Sequence, residues 1–150
     1  MKLFLILIAL VMGIASTLQG TTNAALSNRQ GLGTAVWINA LVVFSGASLL
    51  WLLLPRAPLA ADPARWWHYL GGLFGLTIIA SAAYAFPRLG AGATVALMVA
   101  AQLVTALLLD HLGAAGERTA LTPARVLGGV LLIAGALLIL WPRLVSTDSA

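Results

Sequence analysis

In a chain that is 61% apolar and only 8% charged, the residues able to do chemistry are few, and most are neutral. Gln19 and Asn23 are spaced i,i+4, so on a helix they share one face. Trp37 and Asn39 follow in the next apolar stretch, then Thr77, Ser81 and Tyr84 on one helical stripe, then Gln102 with Thr105. Primary amides offer donors and acceptors without charge. Such a set suits a hydrogen-bonded polar or amphipathic solute better than a lone strong cation. No nucleophile–base pair is visible, so the chain reads as a non-enzyme. His68 and His111 are far apart and lack companions at metal-ligand spacing, and there is no cysteine for thiol, disulfide or Cys-ligated zinc chemistry. Neither a metal nor a cofactor is expected.

The elements that must hold these residues follow from composition. A soluble domain of 150 residues needs about a quarter of its residues charged. Here Lys2 and seven Arg stand against Asp62, Asp110, Glu117 and Asp148, and mean hydropathy is +1.03. The pI of about 10.8 does not point to nucleic acid, because the cations are scattered singly over short loops instead of forming a patch. They read as topology signals and lipid-headgroup contacts. Five apolar segments, at about 3–26, 32–54, 66–86, 91–109 and 123–141, are each long enough to cross a bilayer. In hydrocarbon they must be helices, which satisfy their own backbone. The expected fold is an all-α bundle of five transmembrane spans forming a single domain over residues 1–150.

The breaks agree with this count. The polar run 27–31 and the Pro-rich run 55–58 read as turns, and residues 87–90 as a tight link. Asp62-Pro63 and Thr122-Pro123 read as cap-then-proline openings of the third and fifth helices. Trp141-Pro142 reads as the end of the fifth, and Trp51, Trp66, Trp67 and Trp141 fall near span ends, where interfacial tryptophans belong. The first twenty residues also fit a secretory signal; continuation of the apolar run beyond them favours a span.

Counted from Leu3, Gln19 lies about 8 Å past the midplane and Asn23 near the far boundary, while Asn39 lies about 10 Å along the second helix from that same side. All the polar groups then fall in the membrane half opposite the N-terminus and can line one cavity reaching in to Gln102. Each also has a plainer reading. Gln19 and Asn23 can mark an early end of the first helix, Asn39 and Gln102 can be interhelical glue, and Thr77 and Ser81 can bond back to their own helix. Tyr84 reads as an interfacial anchor or a solute contact, Trp37 as a belt residue or a cavity wall. Asp110 and His111, at the end of the fourth helix, read as capping or headgroup contacts. Gly71 and Gly75 form a GxxxG pair, and Gly128 and Gly135 lie seven apart on the fifth span, which suits close helix packing.

No Glu, Lys, Arg or His lies mid-span, which removes the usual carrier for proton antiport and any voltage sensor or charged filter. An odd number of spans puts Lys2, Arg56, Arg65, Arg118 and Arg125 on one side and Arg29, Arg88 and Arg143 on the other. Five against three favours the N-terminus inside only slightly, and permits insertion in both orientations.

With these residues in place, the chain resembles the five-helix YdcZ-like branch of the drug/metabolite transporter superfamily. The likeness runs through Gln19-Gly20-Thr21-Thr22-Asn23-Ala24-Ala25-Leu26, Trp66-Trp67 with Gly71-Gly72 and Gly75, and Pro87-Arg88-Leu89-Gly90-Ala91. It continues through Ala101-Gln102-Leu103, Asp110-His111-Leu112-Gly113, Glu117-Arg118 and 121–128, in order over nearly the whole chain. Thr21-Thr22 departs from relatives that carry a proline before the Asn. The resemblance implies a small inner-membrane transporter. Because larger superfamily members hold two inverted five-helix repeats, it implies half a transporter, completed as an antiparallel, dual-topology homodimer. A non-transport membrane protein, such as an assembly factor or lipid-binding subunit, is the competing class.

Overall fold

The computed structural model describes residues 2–55, 66–114 and 118–145, apart from the side chains of 143 and 144. Among these residues the chain is helical: α1 Lys2–Gln30, α2 Leu32–Leu53, a 3-10 turn Trp66–Leu70 leading into α3 Gly71–Leu89, α4 Ala91–Leu112 and α5 Pro123–Val145. Five of these segments are long and apolar enough to cross a membrane. The protein is an all-α membrane protein.

Helices α1, α3, α4 and α5 run past their expected ends, while α2 stops at Leu53 and the third span begins with a 3-10 turn. The polar run 27–30 does not unwind: α1 continues to Gln30 and only Gly31 breaks the path. Gly31 N–H donates to Ser27 O at 2.9 Å and Gly31 O accepts from Ala35 N–H at 3.1 Å, so the reversal leaves few backbone groups open. That economy matters near hydrocarbon, where an unmet backbone group is costly. The reversal requires φ 88° at Gly31, a region that side chains avoid. The link expected at 87–90 is likewise shorter: α3 runs through Pro87 to Leu89, and Gly90 alone, at φ 77°, turns the chain into α4. A proline in a last turn forfeits one ladder bond without ending the helix, and Pro142 is similarly carried inside α5. The opening at Thr122-Pro123 is as expected, with Arg125 N–H donating to Thr122 Oγ1 at 3.4 Å. The cap expected from Asp62-Pro63 lies outside the described residues.

The chain divides into two compact units, Met1–Arg88 and Leu89–Ala150. In the first, α1 and α2 form a hairpin about Gly31, and Phe86 of α3 lies against Gly20 of α1. In the second, α4 and α5 pack as a pair. Buried positions hold mostly small residues, including Ala24, Ala35 and Ala83 in the first unit and Ala93, Ala100 and Ala136 in the second. Large side chains such as Phe44, Leu53, Leu131 and Leu138 point outward. Lipid is as apolar as leucine, so association depends on close backbone approach at small residues, and bulky side chains face the solvent that suits them.

Candidate functional site

The first unit concentrates polar side chains at one level of the α1–α2 hairpin. Asn23 lies eight residues before Gly31 and Asn39 eight after it, so a tight reversal sets them side by side. Asn23 Nδ2 donates to Asn39 Oδ1 at 3.0 Å. Gln19, one turn below Asn23, donates from Nε2 to the same oxygen at 3.3 Å. Asn39 Oδ1 thus accepts two bonds, the capacity of its two lone pairs. Asn39 Nδ2 is buried and has no partner. The triad is a neutral hydrogen-bonding group in which the buried amide nitrogen of Asn39 is left open; Asn23 and Asn39 lie about 10 Å from the hairpin end and Gln19 one turn deeper.

Two features around it frame this cluster. Gly20 lets the ring of Phe86 lie where any side chain would be: a Cβ there would meet Cζ at 2.5 Å. Phe86 is buried and Asn23 is 7% exposed, so α1 is covered on the triad's shoulder by α3. The neighbouring hydroxyls are already engaged. Thr17, Thr21 and Thr22 donate to the carbonyls of Gly13, Thr17 and Leu18 at 3.1, 2.8 and 2.7 Å, a local use that frees them from any partner requirement in lipid.

The other expected site residues are placed differently. Trp37 is 64% exposed and, two residues before Asn39, projects about 200° around α2 from it. Ser81 is exposed on α3, and Thr77 donates to Leu73 O at 2.9 Å, the bond back to its own helix. Tyr84 is exposed and carries the Arg88 guanidinium 3.5 Å from its ring centroid, while Arg88 Nη1 donates to Tyr84 O at 2.7 Å. This i,i+4 cation–π pair reinforces Tyr84 as an end-of-helix anchor. Gln102 is exposed on α4, in the second unit, where Thr105 bonds back to Ala101 O at 2.8 Å. The structure therefore gathers Gln19, Asn23 and Asn39, and does not join Trp37, Ser81 or Tyr84 to them.

The second unit holds a pairing that the sequence reading missed. Asp110 Oδ2 lies 3.5 Å from Arg125 Nη1, linking the end of α4 to the start of α5. The backbone of Asp110 also organises the turn. Its carbonyl accepts from Gly113 N–H at 3.2 Å and Thr119 N–H at 3.0 Å, while Ala114 N–H reaches Leu109 O at 3.0 Å. With Gly113 at φ 73° this is a Schellman closure of α4. The available signal was that Asp110 and Arg125 fall at the same membrane face. Among the described residues no His, Cys, Asp or Glu cluster could hold a metal ion.

Comparison with known proteins gives a consistent answer. Residues 4–138 match the family described as "Putative inner membrane exporter, YdcZ". The chain is 28% identical over 131 residues to the inner membrane protein YdcZ of Escherichia coli (strain K12), covering 85% of this chain and 88% of that protein. No solved structure matches significantly.

Proposed function

The chain belongs to the YdcZ family of inner-membrane proteins, and on that premise we propose that it is a secondary transporter moving a small polar or amphipathic metabolite, the solute contacting Gln19, Asn23 and Asn39. The observation that carries this reading is the open donor of Asn39 beside two saturated amide bonds. A buried amide hydrogen left unmet costs about 1–3 kcal/mol, and a conformational change that offers it a solute acceptor recovers that energy. An alternating-access cycle needs such a difference between states. Trp37, Ser81 and Tyr84 belong to the walls of the solute path, and Gln102, exposed on α4, is a further candidate solute contact.

In this reading both units form one transmembrane domain, and two chains associate antiparallel. A five-helix repeat is half of the inverted-repeat plan of secondary transporters, and the slight cation bias allows both orientations. Coupling does not run through Asp110, whose pairing with Arg125 and part in the α4 turn favour a structural role.

The test is a thermal-shift solute screen on purified protein, followed by alanine at Gln19, Asn23, Asn39 and Gln102. A solute that stabilises the parent protein should lose its effect in these variants while expression and dimerisation persist. Full ligand response in all four would overturn the site. C-terminal reporter fusions should show both orientations, and two lysines added to one side should fix one; a wholly one-sided parent would overturn the antiparallel dimer.

A further inference from the structure

A furrow of about 430 Å³ runs between α4 and α5, within the range of small-molecule sites. Its walls are Leu103, Leu107 and Leu132, its floor Gly128 and Gly129, and one end is closed by Asp110 and Arg125. Both walls have the same length: Leu103 precedes Asp110 by seven residues and Leu132 follows Arg125 by seven, so each extends about 10 Å from the charged end. The charged end is the helix-terminal end, at headgroup level, and the apolar body points into hydrocarbon. An amphiphile lying along the membrane normal fits this layout.

The charges specify which amphiphile. Asp110 and Arg125 meet through one contact at 3.5 Å, and Nη1 there has no hydrogen-bond geometry. Both side chains remain 39% exposed, so the carboxylate can still accept and the outer guanidinium edge can still donate. A phosphate suits the guanidinium. A headgroup that is only anionic also meets the carboxylate of Asp110, and a quaternary ammonium has no N–H for it. A phosphate carrying a primary ammonium satisfies both partners.

We propose that the α4–α5 furrow is a binding site for one phosphatidylethanolamine-type lipid, its phosphate on Arg125, its ammonium on Asp110 and an acyl chain along Leu103, Leu107 and Leu132. The site is separate from the amide triad and does not depend on any transported solute.

Native mass spectrometry of the full-length protein tests this, with phosphatidylethanolamine, phosphatidylglycerol and phosphatidylcholine of matched chains added in turn. The parent should retain one phosphatidylethanolamine at least five-fold over the other two. Gly128→Leu should abolish that retention, because a Cβ at Gly128 meets nothing within 4 Å and the added side chain fills the furrow without displacing protein. Asp110→Asn should bring phosphatidylglycerol up to equality with phosphatidylethanolamine, and Arg125→Gln should weaken both. Equal retention of all three lipids by the parent, or undiminished retention by Gly128→Leu, overturns the proposal. So does a Gly128→Leu chain that loses its dimer with lipid retention intact, which would make the furrow an interface between copies.

Discussion

The α1–α2 and α4–α5 hairpins bring their helices together with different polar chemistry at different depths. The first places three amides about 10–16 Å inside the helix ends, hydrogen-bonded at 3.0 and 3.3 Å and without a charge among them. The second shows no such bond between its helices among the described residues and puts an Asp–Arg pair at its end, both side chains 39% exposed. The difference follows the cost of polarity with depth. Amides that bond one another can be carried into hydrocarbon, whereas ionised groups stay where headgroups and water still solvate them. Neutral groups at depth suit recognition of a passing solute; charges at the boundary suit anchoring and lipid contact.

Six substitutions test that contrast, and the largest effect is expected at Gly20. Gly20→Val drives a side chain into the Phe86 ring, where Cζ, Cε1 and Cε2 stand 2.5, 2.8 and 2.9 Å from the new Cβ. Overpacking of this kind costs about 1–3 kcal/mol, read as a lower midpoint in a mild-to-denaturing detergent titration. Gly128→Val, entering open space, should leave the midpoint nearly unchanged; equal losses would remove the distinction between the two hairpins. Asn39→Leu comes next. It strands the donors of Gln19 and Asn23 together, and since interhelical bonds in lipid average about 0.6 kcal/mol each, a loss of about 1–2 kcal/mol is expected. A stabilised Asn39→Leu would show that the triad contributes nothing to the hairpin.

Gly113→Ala places a methyl group in a left-handed cap at φ 73°, for about 1 kcal/mol. Hydrogen exchange should register it at the α4 end and not in α1 or α2. Smallest is the ion pair. A double-mutant cycle of Asp110→Asn with Arg125→Gln should return a coupling below about 1 kcal/mol, as exposed pairs do. A coupling of several kcal/mol would mean that this end of the bundle is desolvated in the membrane. Asp110→Asn should also leave substrate-driven proton flux in liposomes unchanged; its loss with uptake preserved would make Asp110 the proton carrier.

The five spans were legible because hydropathy over some twenty residues is insensitive to local detail. The helix ends were not, because polar residues such as Ser27, Asn28 and Arg29 read as loop until the continuous backbone ladder through Gly31 is visible. Part of the site followed from counting alone: Gln19 and Asn23 share a face by spacing, and Asn39 is level with them once the chain reverses near residue 31. That the oxygen of Asn39 takes both bonds and its nitrogen neither is a matter of side-chain rotation that no pattern encodes. Trp37 was less legible. It read equally as a belt residue or a cavity wall, and the structure places it, 64% exposed, on nearly the opposite face of α2 from Asn39. Gly20 and Phe86 belong to different helices, sixty-six positions apart, and without a partner pattern their contact leaves no trace in the sequence.

The single-residue reversal at Gly31 also bears on how the chain enters the bilayer. The amide bonds it permits join residues only 16 and 20 positions apart, so their loop-closure entropy is small. By the time α2 has left the ribosome, all three amides of the triad have been synthesised. Gln19, Asn23 and Asn39 can therefore cross into lipid as a pre-bonded pair of helices instead of one bare amide at a time. The same turn that levels the site also lowers the barrier to inserting it.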